Sequence, residues 1–358
     1  MADTHSTDTE TANRHAPVTA PTAWYTDPAL WPVERQKIFA ATWQFLCHES
    51  DLAEPGAYRA DVLAGFPIVA VRDDTTGKEG GELRAFHNVC RHRAGPLVKD
   101  ESGTCPGALV CQYHGWRYTL DGRLRAARDF GPADDFDPRD FSLYPVKLAV
   151  WRGLVFAKIE DRIGEDLPDL AEMLAPVDRR LGKVDWSNLR VGLRRHHDLD
   201  CNWKTYVENY LEGYHVPDVH PGLNAELVSE QYKAWVEGRV VLHEAPPRDG
   251  AVYDGVWAWL WPNIAINVYA EGLMIERMSP IDHGRTRLDY TYLTPHGAAV
   301  PQETLAMSDQ VTAEDKWIAE VVQKNLAAGI YQTGRLSPKH EMALAAFQAW
   351  VRACVTQA

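Results

Sequence analysis

Two short runs carry the residue types that hold metals. Cys90-Arg91-His92 is separated by eighteen residues from Cys111-Gln112-Tyr113-His114. Two thiols and two imidazoles on two loops suit either of two sites. One is a four-coordinate zinc ion held tetrahedrally. The other is an iron–sulfur cluster with two thiolates on one iron and two imidazoles on the other. Only one residue parts Cys90 from His92, closer than zinc pairs usually stand, and that spacing favours two metals bridged by sulfide. Gly95 and Gly115 would let the backbone N–H groups approach the sulfides. The other cysteines, Cys47, Cys105, Cys201 and Cys354, have no histidine at such spacing and read as buried small side chains or inert thiols.

A second set lies downstream, in Glu208-Asn209-Tyr210-Leu211-Glu212-Gly213-Tyr214-His215-Val216-Pro217-Asp218-Val219-His220. Glu212 and His215 are three apart and share a face if the run is helical. His215 and His220 are five apart, which no straight helix brings together. Pro217 steers the residue before it away from helical geometry, so the spacing predicts a helix ending near Val216 and His220 folding back from a turn. Two neutral imidazoles and one carboxylate on one face leave coordination positions open, the arrangement of Fe(II) sites that use O₂.

The elements that position these residues alternate in texture. From Gly56 to about Ile159, short β-rich runs such as Ile68–Val71 alternate with Gly, Pro and Asp turns. Pro168–Leu181 and Asn202–Tyr214 read as helices. Tyr232–Leu293 is β-rich again, and Trp257, Trp259 and Trp261 fall on one strand face. Pro301–Ala328 and Ser337–Val355 read as helices. The class is α+β: an all-β module near the front, then a second β-rich stretch and helices. The expected organisation is a disordered lead over 1–22 and a helical segment over 23–45 that packs on the later domain. The cluster domain covers 46–160 and the catalytic domain 161–358.

The 358 residues carry a formal charge of −13, which argues against nucleic acid and anionic membrane surfaces as partners. No apolar run reaches the roughly 18 residues of a membrane helix. Residues 1–21 lack the basic start and apolar stretch of a secretory signal, so a cytoplasmic protein with reduced thiols is expected. There is no Gly-x-Gly-x-x-Gly loop for a dinucleotide.

With their flanks, Cys90-Arg91-His92-Arg93-Ala94-Gly95-Pro96-Leu97 and Cys111-Gln112-Tyr113-His114-Gly115-Trp116-Arg117-Tyr118 resemble the two cluster loops of Rieske non-haem iron oxygenases. The 202–220 run resembles the iron segment of the same family, and the likeness extends over nearly the whole chain from Ala23. Two departures stand out: the gap between the cluster loops is slightly long, and Glu212 stands where many members have Asp.

The resemblance implies a [2Fe-2S] cluster on Cys90, His92, Cys111 and His114, and a mononuclear Fe(II) on His215 and His220. Glu212 would be the bridge that carries electrons from His114 to His215. The third iron ligand would come from a C-terminal helix. Val311, Ile318 and Val322 form an apolar stripe there, with Glu314 and Asp315 beside it and Glu320 opposite. Periodicity does not choose between Glu314 and Asp315; the family pattern picks Asp315.

The fold implied is a Rieske domain followed by a helix-grip catalytic domain, in a head-to-tail homotrimer or a multiple of it. Besides O₂ and a small-molecule substrate, the implied partner is a separate NAD(P)H reductase carrying flavin and an iron–sulfur centre. The Asn-Tyr-Leu-Glu-x-Tyr-His string looks more like members acting on choline, glycine betaine and carnitine than like arene dioxygenases. Trp257, Trp259 and Trp261, with Tyr206, Tyr210 and Tyr269, would then form an aromatic cage for a quaternary ammonium. The alternative is an aromatic ring-hydroxylating alpha subunit. His48, His87, His196, His197, His243, His283, His296 and His340 read as surface or satisfied core residues.

Overall fold

The computed structural model describes residues 16–75, 77, 78, 80–160 and 168–356. The front of the chain is short helix and turn: α1 (Ala23–Thr26), α2 (Leu30–Glu34) and a π-turn over Arg35–Phe39. Ile38 and Phe39 are fully buried, and the Phe39 ring meets Trp203 edge-on at 4.9 Å. The helical segment thus does pack on the later half of the chain. It ends sooner than expected, because Trp43–His48 is already the first strand, β1. The expected disordered lead is also too long. Residues 1–15 lie outside the described residues, but Val18 bridges to Arg335 and Leu336 N–H donates to the Pro17 carbonyl.

The first sheet follows. Its strands are β1, β2 (Ala57–Leu63), β3 (Phe66–Asp73), β4 (Glu82–His87), β5 (Ser102–Thr104), β9 (Pro145–Trp151) and β10 (Leu154–Lys158), in the order β1-β10-β9-β4-β3-β2-β5. A three-stranded ribbon, β6 (Leu109–Val110), β7 (Arg117–Tyr118) and β8 (Leu124–Ala126), carries the second Cys/His loop. The β-branched run Ile68–Val71 is wholly buried in β3, as expected of a strand covered on both faces.

The second sheet has seven antiparallel strands: β11 (Leu189–Leu199), β12 (Lys233–Glu237), β13 (Val240–Glu244), β14 (Tyr253–Leu260), β15 (Ile264–Tyr269), β16 (Gly272–Asp282) and β17 (Arg285–Pro295). Their order is β11-β17-β16-β15-β14-β13-β12. Its two faces sort by the period of two. Val256, Ala258 and Leu260 pack with α3 (Leu170–Arg180) and with Trp43, Phe45 and Trp151 of the first sheet. Trp257, Trp259 and Trp261 face the other way, toward α4 (Trp203–Tyr210) and the last two helices, α7 (Gln302–Ala327) and α8 (Met342–Thr356). Arg277 ties the sheets together. Its guanidinium donates to the Phe45 carbonyl at 2.9 Å and to Asp61 and Asp289 at 2.8 Å.

The tripeptide Asn202-Trp203-Lys204 anchors the start of α4. Asn202 caps it, accepting from Lys204 N–H at 3.0 Å. Trp203 Nε1 donates to Glu34 Oε2 at 2.8 Å, and Lys204 Nζ pairs with Glu34 Oε1 at 2.5 Å, both charges buried. Removing one partner leaves the other charge without compensation. Glu34→Ala is therefore expected to lower stability by ~3–5 kcal/mol. Chemical denaturation checks this, and an unchanged midpoint would contradict it.

Candidate active site

The two front loops meet around a pair of pairs. Cys90 and Cys111 are each 2 % exposed and close enough for their thiols to interact. His92 lies at the surface, and its Nδ1 is 3.1 Å from Nδ1 of His114. One tetrahedral ion would hold its four donor atoms roughly 3.3–3.8 Å apart. Here the short approaches pair like with like, thiol with thiol and imidazole with imidazole. Thiols inside and imidazoles outside fit two irons bridged by sulfide, not one zinc.

The local chain is shaped to that end. Gly115 takes φ +70°, and Cys111 O accepts from its N–H at 3.0 Å. A Cβ on Gly95 would sit 2.8 Å from Tyr113 Cβ and 3.1 Å from Cys111 Sγ. Polar hydrogens already approach the sulfurs: the Tyr118 hydroxyl is 3.2 Å from Cys90 Sγ, and Tyr113 N–H donates to Cys111 Sγ at 3.5 Å. Burial pushes the Cys90 thiol up, so a bound metal's charge is what would keep it a thiolate. Trp116 stacks on the His92 ring, with centroids 4.9 Å apart.

The second site is the trio His215, His220 and Asp315. His220 Nε2 is 3.2 Å from His215 Nε2 and 3.0 Å from Asp315 Oδ1, and His215 Nε2 is 3.9 Å from the same oxygen. Three donors converging on one point fit a single metal with open positions. Each is held from behind. Glu212 Oε1 is 2.5 Å from His215 Nδ1, Glu314 Oε2 is 2.7 Å from His220 Nδ1, and Asn209 Nδ2 donates to Asp315 Oδ1 at 2.5 Å. Such partners fix ring orientation and place the metal-facing lone pair on Nε2. The adjacent acids thus take different places: Asp315 stands among the Nε2 atoms and Glu314 behind His220. Burial opposes a proton on His220, but Asp315 and Glu314 outweigh it and raise its pKa.

The route of the chain through this site differs from the expected one. The helix stops at Tyr210, not near Val216. Glu212 sits in the following turn, where its Oε2 accepts the N–H groups of Tyr214 and His215. A new short helix, α5 (Val216–Val219), starts at Val216 with Pro217 in its first turn, and α6 (Pro221–Glu226) follows. Proline is tolerated at a helix start because its missing N–H would have no partner there. Pro217 therefore opens a helix, and one turn brings His220 back beside His215. On α7 the expected stripe is also displaced. The buried face is Ser308, Thr312, Asp315 and Ala319, while Val322 is 38 % exposed.

A cavity of about 100 Å³ adjoins the trio. That is several times the space of one water and suits a small ligand. Its wall includes Tyr206, Tyr210, Tyr232, Tyr253, Trp257 and Tyr290. Of the expected cage, Tyr206, Tyr210 and Trp257 line it. Trp259 and Tyr269 do not, and neither does Trp261. Trp259 stacks on Trp350 of α8 with centroids 6.3 Å apart and meets Phe347 edge-on, so it fills core. Tyr269 stands behind Tyr253, which it meets with ring centroids 4.7 Å apart.

Sequence reasoning missed several lining residues. His243 lines the cavity and is 2 % exposed, with Nδ1 2.6 Å from the Tyr232 hydroxyl. Glu276 is 3 % exposed; it accepts from Tyr206 at 2.9 Å and from Asn267 at 3.3 Å. Burial pushes its carboxyl up to about 8. The signal for Glu276 was present, since an acid stands inside the apolar run Leu273-Met274-Ile275-Glu276.

Comparisons with known proteins agree with this layout. Residues 42–152 match the Rieske [2Fe-2S] domain, and residues 186–357 match the ring hydroxylating alpha subunit catalytic domain. The chain is 32% identical over 338 residues to the chloroplastic choline monooxygenase of Arabidopsis thaliana, covering 88% of this chain and 78% of that protein. It is 31% identical over 340 residues to the carnitine monooxygenase oxygenase subunit of Escherichia coli (strain K12), covering 90% and 87%. The solved structure of the quaternary ammonium Rieske monooxygenase CntA with L-carnitine superposes with a TM-score of 0.82 at 26% identity, covering 96% and 97% of the two chains.

Proposed function

The chain belongs to the Rieske-type ring-hydroxylating oxygenases as a catalytic alpha subunit, and from that premise we propose that it oxidises a small quaternary-ammonium compound with O₂. The observation that carries this reading is the cavity beside His215, His220 and Asp315. Its wall is aromatic, and the acids Glu212, Glu276 and Asp315 line it with no lysine or arginine among them. Aromatic faces and acids together attract an onium group by cation–π and Coulomb terms. Burial holds the Glu276 carboxyl at about 8; an onium group beside it would draw it to the carboxylate, which a neutral arene, the alternative, would not do.

The family uses a [2Fe-2S] cluster and a mononuclear iron. Cys90, Cys111, His92 and His114 would hold the first, and His215, His220 and Asp315 the second. When bound, the cluster supplies single electrons and the iron a place where O₂ is reduced. The overall change consumes a substrate C–H bond, O₂, two electrons and two protons, and yields C–OH and water. On an N-methyl carbon, the hydroxylated product then breaks its C–N bond to give formaldehyde and a tertiary amine.

The chain's own residues orient and exclude. Glu212 and Glu314 hold the His215 and His220 rings, and Asn209 holds the Asp315 carboxylate. The tyrosine and tryptophan wall keeps water from the onium group. Glu212 lines both this cavity and a second one of about 380 Å³. That position suits its proposed role as the link between the cluster and His215, with the cluster supplied by a neighbour in a homotrimer. Electrons would come from a separate NAD(P)H reductase with flavin and an iron–sulfur centre. No helix of the described residues is long and apolar enough to cross a membrane.

Incubating the iron-loaded protein with a surrogate reductase, NADH and ¹⁸O₂ tests this reading against a panel of onium compounds and aromatic acids. Label in an alcohol, or formaldehyde with a demethylated amine, is expected from an onium compound. A labelled phenol or diol from an aromatic acid alone would overturn the reading.

A further inference from the structure

The charge inventory of the cavity is one-sided. Among the residues that line it are Glu212, Glu276 and Asp315, but no lysine and no arginine. Glu212 and Asp315 are engaged with the histidines. Glu276 is not. It lies on β16 between Met274 and Met278 of the same face, and its partners Tyr206, Asn267 and Tyr290 are all neutral. With only neutral partners, a buried carboxyl keeps its proton more readily, and a ligand cation beside it would draw it to the carboxylate.

A ligand carboxylate meets the opposite situation. It would enter a low-dielectric space beside Glu276 with no lysine or arginine to receive it, and it would oppose the ionisation of Glu276 that the onium group favours. A carboxylate bound to the metal instead would occupy a position that O₂ requires.

The far wall adds an independent observation. His243 Nδ1 is taken by the Tyr232 hydroxyl, and Nε2 is buried with no hydrogen-bond partner. Burial pushes this imidazole down to about 3, so it is neutral. Nε2 is then an open donor in one tautomer and an open acceptor in the other. A ligand hydroxyl satisfies either, whereas a carboxylate satisfies only the first. Tyr210 touches both walls: its ring meets His243 edge-on with centroids 5.6 Å apart, and its hydroxyl donates at 2.8 Å to Asn267, which donates to Glu276.

We infer that the cavity selects a monocationic quaternary amine bearing a hydroxyl, with Glu276 as its counter-charge and His243 as the partner of the hydroxyl, over zwitterionic onium acids. This deepens the onium reading above and rests on it. Glu276 is a specificity-determining residue, and the substrate class is an amino alcohol of the choline type.

Titration calorimetry under anaerobic conditions on the iron-loaded protein tests the inference, with four probes: choline, glycine betaine, carnitine, and 3,3-dimethylbutan-1-ol, the neutral carbon isostere of choline. Choline is expected to bind tighter than either zwitterion by on the order of tenfold or more, and tighter than the neutral isostere. Glu276→Gln is expected to weaken choline by a similar factor and to leave the isostere nearly unchanged. The wild-type ranking tests the inference even if the variant fails to fold. Zwitterions binding as tightly as choline would overturn it while leaving the onium reading intact, as would a folded Glu276→Gln protein with undiminished choline affinity. If none of the three onium compounds binds, the onium reading falls and this inference with it.

Discussion

Asp315→Ala is expected to abolish substrate oxidation and to remove the mononuclear iron while the cluster remains. Among the described residues, Asp315 is the carboxylate whose oxygen stands near both imidazole Nε2 atoms, at 3.0 and 3.9 Å. Without it, two neutral imidazoles are left to hold a divalent ion with no anionic ligand. Even changes behind a ligand cost about 10–100-fold in affinity or activity, so loss of the ligand itself should exceed ~100-fold in turnover. Iron should fall by the mononuclear equivalent, with acid-labile sulfide and the red-brown absorbance unchanged. Glu314→Gln should be milder, since Glu314 touches Gln310 and the rear nitrogen of His220, not the Nε2 that faces the metal site. Full iron and full turnover in Asp315→Ala would remove Asp315 from the ligand set.

Glu212→Gln is expected to separate the two centres without emptying either. Its Oε2 accepts two backbone N–H bonds that shape the turn after α4, and the glutamine carbonyl oxygen can keep them. What is lost is the carboxylate at His215 Nδ1. Turnover is expected to fall by at least ~10–100-fold with iron and sulfide content intact. The distinguishing readout is the cluster's own spectrum: after reduction and exposure to O₂ with substrate, it should stay reduced far longer than in the wild type. A variant that reoxidises and turns over normally would show that Glu212 carries no coupling.

The parts of this account that rest on local pattern could be read in the sequence. The Cys90/His92 and Cys111/His114 loops are contiguous strings, and the two-sheet α+β plan follows from runs such as Ile68–Val71 and from the alternation at Trp257–Trp261. The path around Pro217 could not be read, because a proline ends one helix or opens the next depending on neighbours outside the string. The buried face of α7 was hidden for another reason. Ser308, Thr312 and Asp315 are polar residues facing a polar site, so an apolar stripe points to the wrong side. The cavity wall was the least legible. His243, Asn267 and Glu276 come from three strands of one sheet, β13, β15 and β16, whose register across the intervening β14 exists only once the sheet forms. Trp259, placed on the right face by alternation, is shielded from the cavity by its contact with α8, which no strand period reveals.

A single-turnover experiment tests the central claim most directly. The iron-loaded protein is reduced, freed of reductant, mixed with choline and ¹⁸O₂, and quenched at intervals. Labelled product should appear in proportion to the mononuclear iron and at the rate at which the cluster reoxidises. A cluster that reoxidises with no product from choline or any other onium compound would contradict the claim that these two centres serve oxidation of an onium substrate in this cavity.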